Sequence, residues 1–103
     1  MYAIAIIRYR RALEDVLRVL DAHRAYLGGL RERGQLLASG PFDPRAGGLL
    51  ILRVDDAAPG DALDAIRDGD PFVREGIAQY ETQLWAPTIG KEDLDRIAAA
   101  PGA

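Results

Sequence analysis

From Ala12 to Gly34 the apolar residues Val16, Val19, Leu20, Tyr26, Leu27 and Leu30 recur at helical spacing and fall on one stripe. A helix of that length with one apolar face must lay the face on another element, and the segments on either side supply it. The only histidine, His23, lies inside the stripe. Its neighbours on the wheel are Val16, Val19, Leu27 and Leu30, whereas Arg18, Arg24 and Glu32 fall elsewhere. The spacing therefore predicts an imidazole that points inward. Such a ring is either a satisfied core side chain or the titrating member of a pocket.

Before the helix, Tyr2 to Tyr9 is rich in β-branched and aromatic residues. Tyr2, Ile4 and Ile6 alternate there with Ala3, Ala5 and Ile7, the pattern of a central strand covered on both faces. Glu14 and Asp15 stand in the first helical turn, where the helix dipole favours acids, and no Ser or Thr cap is visible. Gly28-Gly29 costs roughly 1 kcal/mol per glycine relative to alanine, which the close approach of a neighbour would explain. Gly34 is placed to end the helix in the left-handed conformation. Gln35 to Ser39 reads as a short strand stopped by Gly40-Pro41. Pro44 and Gly47-Gly48 mark a turn, and Leu49 to Val54 returns, giving a hairpin with its loop at Pro41 to Ala46. A second helix opens at Asp55 to Pro59, carries Leu63 and Ile66, and stops at Gly69. Asp70-Pro71-Phe72-Val73 predicts one more helical turn, with aspartate as cap and proline at the first helical position. Ile77 to Trp85 alternates, with Ala78, Tyr80, Thr82 and Leu84 on one face and Ile77, Gln79, Glu81, Gln83 and Trp85 on the other. Thr88 to Ala103 adds a terminal helix around Leu94 and Ile97, then an alanine-rich tail closed by Pro101-Gly102.

The order strand, helix, strand, strand, helix, strand predicts an α+β fold. It is the ferredoxin-like arrangement, an antiparallel sheet with its helices on one face, in a single domain spanning 1–103 with a terminal helix and tail from about 88. The second face, with Ile77 and Trp85 among glutamines, is too apolar for plain solvent surface, so a homodimer packed sheet on sheet is expected.

Charge and composition narrow the function. Thirteen basic residues against 16 acidic ones leave a net charge of -3, and the basic residues are scattered, which argues against a nucleic-acid partner. There are no cysteines, hence no disulfides, thiolate nucleophiles or thiolate metal sites, and a cytoplasmic setting is expected. The apolar start is followed at once by Arg8-Tyr9-Arg10-Arg11 and is far too short to span a bilayer, so no membrane partner is expected. One histidine among scattered carboxylates offers no metal-ligand spacing. No glycine pair sits in a phosphate-binding pattern, and no cofactor is called for.

Three stretches together, in order and spacing, carry a resemblance that covers nearly the whole chain. They are His23 with Tyr26-Leu27 and Leu30, then Gly34 through Phe42, then Asp70-Pro71-Phe72 followed by the strand to Trp85. The sequence resembles the YciI-like family of small bacterial proteins. The resemblance implies a dimeric α+β barrel of ferredoxin-like subunits, with a His-Asp dyad that falls here on His23 and Asp70 beside the sheet. It implies a proton-transfer activity such as elimination or isomerisation, since one member is a dehydrochlorinase of a chlorinated hydroxyhydroquinone and the fold is similar to muconolactone isomerases. The Gly28-Gly29 pair and the alanine-rich tail depart from common members.

The chemistry has its own physical warrant. An imidazole partly withdrawn from water, beside a carboxylate that fixes its tautomer, can relay a proton, which suits elimination or isomerisation. With the resemblance, the expected substrate is a small aromatic or lactone-like organic molecule. Asp70 before Pro71 also serves as a helix cap, and both roles can coexist. The expected substrate-binding surroundings are Ser39, Gly40, Pro41, Phe42, Pro71, Phe72 and Tyr9. Ser39 is either a turn former or a donor to a ligand oxygen, and the aromatics are walls. A serine hydrolase would need a strained GxSxG turn, which is absent. A cofactor-free monooxygenase would need a substrate that itself reacts with oxygen. The competing reading is a non-catalytic small-ligand-binding or accessory dimeric module.

Overall fold

The computed structural model describes residues 1–99. The elements are β1 (Tyr2–Tyr9), α1 (Leu13–Glu32), β2 (Leu36–Pro41), β3 (Gly47–Arg53), α2 (Pro59–Gly69), α3 (Pro71–Arg74), β4 (Ala78–Trp85) and α4 (Lys91–Ala99). The strands form one antiparallel sheet in the order β2-β3-β1-β4, the ferredoxin-like topology of the dimeric α+β barrel class. The alanine-rich tail closed by Pro101-Gly102 lies outside the described residues.

Strand β1 is central, as its two apolar faces require. Ala3, Ala5 and Ile7 are buried under the helices, while Ile4 and Ile6 on the other face are half-buried. Helix α1 lays Val16, Val19, His23 and Leu30 into the core, with Leu20, Tyr26 and Leu27 partly buried beside them. Its C-terminus closes as the glycine at 34 predicts. Gly34 has φ 75°, its N–H donates to the Arg31 carbonyl at 3.0 Å, and the Gln35 N–H donates to the Leu30 carbonyl at 2.9 Å.

Four expectations are corrected. The Gly47-Gly48 pair is not a turn but the start of β3. A Cβ on Gly47 would stand 1.8 Å from the Ile7 carbonyl oxygen, and one on Gly48 2.7 Å from that of Gly40, so glycine is required because the neighbouring strands pass too close. Strand β2 does not stop at Ser39: Gly40 pairs with Leu49 and Pro41 with Gly48, which proline tolerates on an edge strand. Ile77 does not belong to the outer face of β4. Gly76, at φ 68°, turns the chain so that Ile77 packs into the core. No neighbour within 4 Å accounts for Gly28, and Gly29 meets only the Arg33 side chain.

Helix α4 also departs from the one-sided arrangement. It contacts β2, and the Tyr2 hydroxyl, on the face opposite Ala3 and Ala5, donates to Asp95 Oδ1 at 2.5 Å. The remainder of that face centres on Ile4, Ile6, Leu49 and Ile51, all half-buried, which register brings together as the pairs Ile4–Ile51 and Ile6–Leu49.

Candidate active site

The site begins where α2 hands the chain to α3. Asp70 is the last cap of α2 and the first of α3; its Oδ1 accepts the Phe72 backbone N–H at 2.9 Å, and Pro71 starts the short helix. That turn packs against α1, so the carboxylate meets His23 across 47 positions of sequence. His23 Nδ1 lies 2.9 Å from both Oδ1 and Oδ2. A third donor, the Tyr80 hydroxyl on β4, reaches Oδ2. Asp70 is wholly buried, and three donors converge on its two oxygens.

The tautomer follows from the network. A carboxylate offers no proton, so Nδ1 carries the hydrogen, and in the neutral ring Nε2 holds the free lone pair. Among the described residues Nε2 has no protein partner and is not sealed away from solvent, and His23 lines a cavity of about 250 Å³. Phe72 stacks face to face on the imidazole, with centroids 3.9 Å apart and planes 5° from parallel. Tyr9 meets Phe72 edge-on at 6.0 Å. The ring is thus held by a hydrogen bond in its plane and an aromatic wall on its face.

The cavity lies between α1 and the β1, β2 and β3 end of the sheet. Of the residues expected around a substrate, Ser39, Gly40, Pro41, Phe72 and Tyr9 line it. Phe42 and Pro71 do not. The Phe42 N–H closes the hairpin on the Gly47 carbonyl at 2.8 Å and its ring is 39% exposed, while Pro71 is spent as the first residue of α3. The sequence reading missed Tyr80, Arg24 and Arg45. Leu20, His23, Arg24 and Leu27 stand at i, i+3, i+4 and i+7, a spacing that marks one helix face and could have located Arg24. Tyr80 lies on the predicted inner face of β4 and pairs with Ile7, and a buried phenol needs a partner. Burial, the Asp70 charge and the hydrogen bond to Asp70 together raise the Tyr80 pKa far above its ordinary value. Nothing local marked Arg45, which the loop between β2 and β3 brings to the cavity.

The fold is that of the small ferredoxin-like α+β proteins, and residues 1–86 match the YCII-related domain. The chain belongs to that family. A solved structure similar to it is 5-chloro-2-hydroxyhydroquinone dehydrochlorinase (TftG) from Burkholderia phenoliruptrix AC1100, in complex with 2,5-dihydroxybenzoquinone. The two share 21% identity and a TM-score of 0.73 over 86% of this chain and 97% of the other. No curated protein matches the chain.

Proposed function

We propose that the chain is a cofactor-independent enzyme that moves a proton on a small organic molecule, with His23 as base or acid and Asp70 as the group that holds it. One observation carries the reading: Nδ1 is committed to a buried carboxylate, so the Nε2 lone pair is left for the cavity. In an elimination, Nε2 takes the proton from the substrate atom that gives it up. The electron pair of that bond moves into the new double bond, and the leaving group departs with its own bonding pair. In an isomerisation the same proton returns to a different carbon. The imidazolium formed in either case faces Asp70 in its plane and the Phe72 ring on its face, two contacts that favour positive charge.

The dehydrochlorinase with the same fold makes 5-chloro-2-hydroxyhydroquinone the first compound to try. Chloride release is the readout. His23→Asn should leave the protein folded and lower turnover by roughly two to four powers of ten, the range of a lost general base. Turnover unchanged in that variant removes His23 from the chemistry and leaves the ligand-binding module as the better reading. We propose further that the working species is a homodimer, supported by the apolar centre of the uncovered sheet face. Among the described residues no helix is long and apolar enough to cross a membrane.

A further inference from the structure

The geometry points to a substrate with an apolar body and a carboxylate head, gripped by Arg24 and Arg45; the inference rests on reading the cavity beside His23 as the ligand site. Arg24 stands on α1 and Arg45 on the loop between β2 and β3, so two arginines line the same cavity from different elements. Both are exposed, and among the described residues neither pairs with a carboxylate. Arg8, Arg18, Arg67 and Arg96 have acidic partners, whereas Arg10, Arg11, Arg31, Arg33, Arg53 and Arg74 have none among the described residues, so what sets Arg24 and Arg45 apart is their place together on the cavity beside His23.

No acidic residue lines the cavity, because Asp70 sits behind the imidazole. The chain as a whole carries a net charge of -3, so a lining with two arginines and no acid runs against the molecular charge. Arg45 is also stationed relative to the chemistry. Its Nε donates to the Tyr9 hydroxyl at 3.4 Å, Tyr9 packs edge-on against Phe72, and Phe72 stacks on His23. The remaining walls include Ile7, Leu20, Leu27, Leu50 and Phe72, which suit carbon and not a hydrated ion. With about 250 Å³ available, the space is that of a small molecule. Planar guanidinium groups match the two oxygens of a carboxylate, and an apolar cavity adds the body to which it is attached.

The test compares benzoate with its neutral counterpart benzamide, and with inorganic phosphate, in titrations followed by amide and His23 ring NMR signals at low ionic strength. Benzoate is expected to shift Ser39, Gly40 and Leu27 and to bind at least about tenfold more tightly than benzamide, a preference that weakens with added salt. Arg24→Gln and Arg45→Gln should each weaken benzoate by about tenfold, leave benzamide unchanged, and keep the circular dichroism of the parent protein. Equal binding of benzoate and benzamide in the cavity overturns the clamp while the ligand site, and with it the role proposed for His23, stands. Phosphate binding as tightly as benzoate overturns the apolar body. Binding of neither organic probe overturns the clamp and also removes the cavity as a ligand site.

Discussion

A carboxyl group with no exposure to water needs donors on both oxygens, and Asp70 has them in the His23 ring, the Phe72 backbone and the Tyr80 hydroxyl. The sequence alone suggests that Asp70→Asn is mild, since asparagine caps a helix as well as aspartate does. The structure argues otherwise. An amide keeps one acceptor oxygen. With that oxygen on the Phe72 N–H, its NH2 takes the place of Oδ2, where the Tyr80 hydroxyl must turn to accept and the imidazole must carry its proton on Nε2, so the charge-assisted bonds and the lone pair facing the cavity are both lost. Asp70→Asn is expected to cost roughly 1 to 3 kcal/mol in urea denaturation as well as lowering turnover. An unchanged midpoint would mean that the network does not hold the fold. Tyr80→Phe removes only one donor and should cost about 1 kcal/mol. Its dependence on pH has a definite sign. The Tyr80 pKa is raised in the folded protein, first by burial and then by Asp70, so its contribution is complete below the ordinary value of 10.0 and is lost as pH rises beyond it. The stability gap between parent and variant should therefore be constant from neutral pH to about 9 and narrow above 10. In absorbance titrations of the folded proteins, removing Tyr80 should delete no transition near pH 10.

Helix α1 could be read almost to its ends, because its stripe, its acidic first turn and its terminal glycine all agree with the packing it finds. Strand β3 was harder, since period-two reasoning needs side chains and its first two residues have none. Gly47 and Gly48 carry the pattern of a turn yet serve two strand pairings, a fact visible only once β1 and β2 flank them. The same limit applies to the site. His23 facing inward and Asp70 before a proline were local signals. Their junction, the Tyr80 hydroxyl and the Arg45 side chain depend on register and loop path, which no short window contains. The glycines provide a paired test. Gly47→Ala forces a methyl group onto the Ile7 carbonyl and should destabilise by about 2 kcal/mol or more, with lost protection of the β1 and β3 amides in hydrogen exchange. Gly28→Ala meets open space in the middle of a helix and should stabilise by roughly 0.5 to 1 kcal/mol. A Gly47→Ala midpoint at or above that of the parent protein would show that the close approach assigned to Gly47 is wrong.

The molecule covers the helix side of its sheet thoroughly and the other side only near Tyr2, where α4 is held by Asp95. What remains open has an order suited to self-association. Ile4, Ile6, Leu49 and Ile51 form an apolar centre, and Arg8 and Glu81, 3.0 Å apart, stand at its polar rim. A second copy turned by a two-fold axis would lay the same apolar centre on this one, the self-complementary contact that a homodimer requires. Ile6 is only half-buried in the single chain, so Ile6→Lys should leave the subunit folded while placing two like charges in the interface. Light scattering is expected to give the mass of two chains for the parent protein at micromolar concentration and one chain for the variant. The sole tryptophan gives an independent reading. Trp85 pairs with Tyr2 at the end of β4 and is 39% exposed in the single chain, so covering the sheet face should shield it. Its emission should shift to longer wavelength when the parent protein is diluted below the dimer dissociation constant, and should already lie there in Ile6→Lys at every concentration. A parent protein that scatters as a single chain, with emission independent of dilution, would show that this face meets only water.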